Sequence, residues 1–264
     1  MEIVNKDIDN GQGFDWGRTS GDYAKFRDIY PEVFYQKLIG IGLCVKGQRV
    51  LDIGTGTGVL PRNLYKYGAE FTGADISENQ IEQARRLSKE AGMDISYVVS
   101  PAETLDFPGH SFDVVTASQC YTYFDKDVIF PKIHSILKPA GHFCISLVVW
   151  TPGGSVIADK SEALVVKFNP SWSPYEKDRF PYSFPEQAQG LFEVAHSLEY
   201  ETPVTFTRES WHGRMRTCRG ISAASCMSAE EIARWEKEHI EYLQSVPEVF
   251  DIPHLVTVLN LRKI

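Results

Sequence analysis

Three glycines spaced two apart close an apolar run at Val50-Leu51-Asp52-Ile53-Gly54-Thr55-Gly56-Thr57-Gly58, and few folds accommodate that arrangement. The apolar run reads as a buried strand. Glycine at alternate positions after it lets the backbone turn through left-handed conformations and come close to a ligand. Turns of this kind, where a strand hands over to a helix, bind nucleosides in open α/β sheets. A dinucleotide loop would read G-x-G-x-x-G and need glycine at 59, where this chain has Val59. Asp52, two residues before the first glycine, would repel a pyrophosphate and suits a cationic amino-acid group. The implied ligand carries an ammonium or sulfonium in place of phosphates.

A second acidic residue falls in register with the first. Glu70-Phe71-Thr72-Gly73-Ala74-Asp75 reads as the next strand, and Asp75 follows Gly54 by 21 residues, where a carboxylate takes the two hydroxyls of an unphosphorylated ribose. VLDIGTGTG, then GADIS with NQIEQAR, then PAETLDFPGHSFDVVTASQCYTYFD, then LKPAGHF, resemble in order the motifs of Rossmann-like (class I) S-adenosylmethionine-dependent methyltransferases of the small-molecule type. The resemblance covers residues 30–150 and, more loosely, the rest. It implies S-adenosyl-L-methionine as cofactor. Asp52 and the Gly54, Thr55, Gly56, Gly58 turn would lie against the methionine moiety. Asp75 would hold the ribose, Ile76 an adenine face, and Ala102 and Glu103 the adenine edge. Gln80 belongs with the cofactor contacts, as do Ser118 and Gln119, which with Cys120 and Tyr121 would line the transfer site. The family often has aspartate just before the Ala-Glu pair; this chain has Pro101.

The spacing predicts strands over 48–53, 70–75, 95–99, 112–118 and 142–149, separated by helices over 58–67, 78–91 and 125–137, with a first helix opening at Pro31. Strand–helix alternation implies a parallel sheet with right-handed crossovers, whose ligands sit at the carboxyl ends of the strands. The expected fold is thus an α/β, Rossmann-like, seven-stranded and mostly parallel sheet. Helices cover both faces, and a final antiparallel strand over 254–262 inserts beside the fifth. One domain over 1–264 is expected, with an N-terminal arm (1–30), a cofactor-binding core (31–150), a lid insertion (151–197) and a closing part (198–264). The arm reads as loop through residue 22. The lid is proline- and aromatic-rich and too long for a simple connection. A strand over 198–206 and helices over 208–218 and 229–245 precede the last strand.

Composition bounds the partners. The 27 basic and 35 acidic residues leave a net charge of −8, and no basic run exceeds two residues. That offers no electrostatic footprint for nucleic acid or anionic membrane, and favours a small-molecule substrate on a monomer or homodimer. Five cysteines without a C-x-x-C pair fit a reducing cytoplasm and neither a disulfide framework nor a metal site. The longest apolar run, Phe143 to Trp150, is far short of a membrane span.

No catalytic residue is demanded, because in-line methyl transfer can run on positioning. Tyr121 and His212 are the two weak candidates, against a packing role for the first and a structural one for the second. Trp16, Arg18, Tyr23 and Arg27 in the arm pair aromatics with guanidinium groups suited to a carboxylate, and stand with Tyr121 and Trp150 as substrate candidates. Arg214 and Arg216 would favour an acidic substrate if they face the same cleft. Two other readings stay open: a nicotinamide-dependent oxidoreductase on the same fold, and a catalytically inactive cofactor-binding protein, to which Pro101 lends weight.

Overall fold

The apolar runs of this chain alternate between two faces of one sheet. Leu51 and Ile53 of β1 (Arg49–Ile53) lie in one buried cluster with Val115 and Ala117 of β4 (Phe112–Ser118) and Phe143 and Ile145 of β5 (Leu137–Trp150). Val50, Val114, Cys144 and Val148, offset by one residue, lie in another. Period-two alternation of this sort buries both faces of a strand, and each face needs its own cover. On the first it is α5 (Lys126–Ile136), through Ile129, Phe130, Ile133 and Ile136. On the second it is α2 (Glu32–Gly40) and α3 (Val59–Leu64), through Phe34, Tyr35, Leu38, Leu60 and Leu64.

The computed structural model describes residues 2–6, 8–173 and 183–264. β2 (Glu70–Asp75), β3 (Ser96–Val99), β6 (Phe192–Thr207) and β7 (Val249–Lys263) complete seven strands in the order β3-β2-β1-β4-β5-β7-β6. The β3-β2-β1-β4-β5 part is parallel and the last strands are antiparallel, with β7 beside β5. The order reverses between β1 and β4. Crevices that bind ligands open at such reversals, outside the carboxyl ends of the strands.

Two compact units divide the chain. The second comprises Tyr30–Val148, Phe180–Tyr200 and Val256–Ile264 and holds both clusters above. α4 (Glu78–Glu90) belongs to it, capped by the Ser77 hydroxyl on the Gln80 amide. The first comprises Met1–Ile29, Val149–Arg179 and Glu201–Leu255. Its helices are α1 (Ser20–Phe26), α6 (Val156–Phe168), α7 (Arg208–Arg216) and α8 (Ala229–Leu243). Its core gathers Trp150, Trp211, Trp235, Val165, Met215 and Ile252.

Arm and lid differ from the sequence expectation in two ways. The arm is anchored rather than loose: Phe14 is fully buried and bridges Ile3 and Ala224, and α1 begins at Ser20. Residues 156–168 of the expected lid form α6, capped by Ser155 on the Ala158 amide. Residues 174–182 of that lid lie outside the described residues.

Candidate functional site

The turn after β1 is built by three glycines in left-handed conformation, with φ of 63° at Gly54, 57° at Gly56 and 74° at Gly58. A residue with a Cβ pays roughly 1 kcal/mol or more at each such position, so the spacing seen in the sequence is a backbone requirement. At Gly54 an added Cβ would also lie 2.7 Å from Cys120 Sγ. Cys120, at the end of β4, donates its thiol hydrogen to the Ile53 carbonyl at 3.1 Å, and burial holds that thiol far above its ordinary acidity range. It packs against the turn as a small buried hydrophobe.

Asp52 lies beneath the turn. Register pairs it with Thr116 on β4 and Gly73 on β2, so the three share one face of the sheet. The Thr55 hydroxyl donates to its Oδ2 and the Thr116 hydroxyl to its Oδ1, both at 2.6 Å. Burial pushes the Asp52 carboxyl up to about 6, the two hydroxyl bonds pull it down, and the charge of Asp75 raises it further. Its carboxylate is thus engaged with the floor of the turn. Thr57 Oγ1, wholly buried in the same turn, has no hydrogen-bond partner among the described residues.

Asp75 closes the turn from β2. Its Oδ2 accepts the Gly56 amide and its Oδ1 the Ser77 amide, each at 2.8 Å. A carboxylate has about four acceptor positions, so two remain for ligand hydroxyls. Burial raises its pKa, and the two backbone N–H groups oppose that. Ile76 beside it is half-buried, whereas Gln80 is buried at the start of α4. A cradle of left-handed glycines, an orphaned hydroxyl and a carboxylate with spare acceptor positions fits a nucleoside with a cationic amino-acid tail.

The remaining candidates of the second unit have these partners. Ala102 is buried in a short 3-10 turn, and Glu103 Oε1 accepts the Asp125 amide at the start of α5 at 3.0 Å. Ser118 shares a 2.8 Å hydrogen bond with Ser146. Gln119 is held at φ 66°, with its amide on the Ser146 carbonyl and its side-chain nitrogen donating to the Val148 carbonyl. A non-glycine residue in that region stores backbone strain, a mark of functional sites. Tyr121 is a core residue, buried edge-on against Phe130, and burial pushes its phenol up to about 12.

The first unit holds the rest. Arg27 donates to the Thr217 hydroxyl and carbonyl at 3.0 and 2.8 Å and stacks over Trp16 and Tyr23. Arg18 donates to the Ala224 carbonyl at 2.7 Å. Arg216 pairs with Asp22 and Glu236. Arg214 is buried with its guanidinium over Trp150, whose indole N–H donates to Glu162 at 2.7 Å. These arginines tie arm and helices together. His212 stacks on Trp235 and shares a 2.9 Å Nδ1–Nδ1 hydrogen bond with His239, which reaches Ser161 through Nε2, also at 2.9 Å. Burial lowers the pKa of His212, and that of His239 to about 3.

Two residues escaped the sequence reading. Thr116 lies two positions before Ser118 in a strand that reads as apolar, and only the β1–β4 register reveals it as a partner of Asp52. Tyr97 on β3 carries no motif, yet its ring lies against the turn.

Comparison with known proteins agrees with this geometry. The family described as Methyltransferase domain matches residues 51–145, the span from β1 to β5. A Dictyostelium discoideum protein named as a methyltransferase is 30% identical over 151 residues, 57% of this chain and 54% of that protein, so the chain spans about half of that relative. A ubiquinone biosynthesis O-methyltransferase of Xanthomonas euvesicatoria is 30% identical over 173 residues, 64% of this chain and 70% of that one. A solved structure from Anaeromyxobacter dehalogenans, described as a type II methyltransferase, superposes with a TM-score of 0.56 at 20% identity, covering 89% of this chain and 96% of the other. With that sheet order, that glycine turn and those relatives, the chain belongs to the class I S-adenosylmethionine-dependent methyltransferases, a family of enzymes whose methyl donor is S-adenosylmethionine.

Proposed function

We propose that this chain transfers the S-adenosylmethionine methyl group to an oxygen atom of a small-molecule acceptor. The cofactor part rests on one observation, the left-handed glycine turn fastened to Asp75 through the Gly56 amide. The acceptor atom rests on the Xanthomonas relative, named as an O-methyltransferase. When bound, the cofactor supplies an electrophilic methyl group on a sulfonium for in-line displacement. Asp75 holds the ribose hydroxyls with its spare acceptor positions, the turn brings backbone against the methionine tail, and Ser118 and Gln119 border the transfer end. Tyr121 is a neutral phenol at physiological pH and His212 is engaged with Trp235 and His239. Neither is placed as a base, so the acceptor hydroxyl gives its proton to solvent as the new C–O bond forms and the C–S bond breaks, and positioning is the proposed means of catalysis. A net charge of −8 fits a small acceptor handled in the cytoplasm, without nucleic acid or membrane.

Calorimetric titration with S-adenosylhomocysteine tests the cofactor, and absence of binding at millimolar ligand would overturn it. Asp75→Ala is expected to weaken binding at least tenfold, about 1.4 kcal/mol. Release of S-adenosylhomocysteine on presentation of hydroxylated acceptors tests the transfer. Fluorescence titration with NADH is expected to show no uptake, which separates this reading from a nicotinamide enzyme.

A further inference from the structure

A cross-strand row runs over one face of the sheet beneath the turn: Tyr97 on β3, Gly73 on β2, Asp52 on β1 and Thr116 on β4 are successive partners in register. Gly73 leaves a gap in that row, and the Tyr97 ring fills it. A Cβ at Gly73 would lie 2.8 Å from Tyr97 Cδ1 and Cε1 and 2.9 Å from Thr55 Cγ2, so the ring and the turn residue meet over a glycine. The ring then reaches Gly58, the residue in left-handed conformation from which α3 starts. The space a Gly58 side chain would need is taken by the Tyr97 hydroxyl, with Cζ 3.1 Å away. That hydroxyl is fixed in turn by a 2.9 Å hydrogen bond with Ser88, buried on α4. One aromatic side chain thus spans the strand carrying Asp75, the last glycine of the turn and the helix after β2.

We propose that Tyr97 is a positioning residue for the cofactor turn. It props Gly58 and Thr55 from below, so that the amides and hydroxyls of residues 54–58 keep the directions in which they meet a ligand. Gly58 and Gly73 are glycines partly because Tyr97 is there: the backbone angle at Gly58 demands glycine by itself, but Gly73 has no left-handed angle and owes its identity to the ring and to Thr55. Rigid packing transmits displacements of this kind, because interiors are close-packed and a shifted ring has nowhere else to go. A misplacement of about 1 Å at a site of this type is enough to cost up to a hundredfold in rate. The proposal rests on the reading of the turn as the S-adenosylmethionine site.

The test uses the full chain, with S-adenosylhomocysteine affinity by calorimetry at a temperature where every variant is folded by circular dichroism. Tyr97→Leu is expected to lose at least tenfold in affinity, and Tyr97→Phe, which keeps the ring against Gly73 and Gly58 and gives up the hydroxyl with its Ser88 bond, no more than about threefold. Gly73→Ala is expected to lose affinity by pushing the ring away. Adding Tyr97→Leu to Gly73→Ala is expected to lose less than the product of the two single effects, as for residues acting through one shared contact. Hydrogen exchange is expected to accelerate over residues 54–60 in Tyr97→Leu. A structural role alone would lower the melting temperature and leave affinity unchanged; that result, or multiplicative losses in the double variant, overturns the proposal. If wild type itself takes up no S-adenosylhomocysteine, the cofactor reading fails and Tyr97 falls with it. If wild type binds and Tyr97→Leu binds equally, only the role of Tyr97 falls.

Discussion

Burial pushes the Asp52 carboxyl up to about 6, against the two threonine hydroxyls that pull it down. The folded value lies above the ordinary 3.8, so the native state binds the proton more tightly than the unfolded chain. Its contribution to stability is complete below about pH 3.8 and lost as pH rises through 6, a change of about 3 kcal/mol for a group this buried. Asp52→Asn removes that dependence. Urea unfolding is expected to show the variant gaining on wild type between pH 4.5 and pH 7.5; an unchanged difference would contradict the burial argument. At this scale the sequence was informative wherever the backbone dictated the residue. The glycines of the turn and Asp75 could be found because glycine adopts those angles without strain and because the strand-to-strand interval is short. Thr116 and Tyr97 could not, since their roles depend on which residues face each other across strands, and register is a tertiary property. The arm arginines are ambiguous at this scale for a related reason: guanidinium next to aromatics looks the same whether it awaits a ligand or, as at Arg27, reaches Thr217.

Among the elements, β1, β4 and β5 were legible because both their faces are buried, which leaves apolar runs between more polar helices, and the part-exposed β3 followed from its place in the alternation. α6 was not. Its inner face carries Ile157, Ala158, Leu164, Val165 and Phe168 at helical spacing, but the segment lies between Pro152 and Pro170 in a stretch whose prolines and aromatics read as a lid. β6 began earlier than expected, since residues 193–197 of this edge strand are largely exposed and carry no alternation. Ser161 of α6 is central to the first unit: it accepts the Trp211 indole N–H at 2.9 Å, donates to the Ile157 carbonyl and meets His239. A histidine held neutral in that network, with its pKa lowered from 6.5 to about 3, stabilises the fold above pH 6.5 and loses that effect as pH falls toward 3. Between pH 7.5 and pH 5 the loss is roughly 2 kcal/mol. The stability gap between wild type and His239→Gln, measured by denaturant unfolding, is therefore expected to narrow on acidification; a gap that widens would place the acid-sensitive group elsewhere.

Taken as a whole, the molecule has a sheet order and a net charge that point the same way. The reversal between β1 and β4 opens a crevice for a nucleoside, and a negative surface discourages polyanions. Among the described residues no helix is long and apolar enough to cross a membrane. Division into two compact units was beyond the reach of sequence, because the first is assembled from three separated stretches, of which the arm looks like loop and the second like a lid on the core. The carboxyl under the turn has one more consequence, visible only in the proton balance of the entire protein. If the ligand's ammonium lies against the turn as proposed, it favours the ionised form of Asp52, so binding near pH 6 is expected to expel part of a proton into solution. Titrations with S-adenosylhomocysteine in phosphate and in imidazole at that pH are then expected to give different apparent enthalpies, because the two buffers absorb the released proton with different heats. At pH 8, where the carboxyl is already ionised, the two buffers are expected to agree, and Asp52→Asn should make them agree at both.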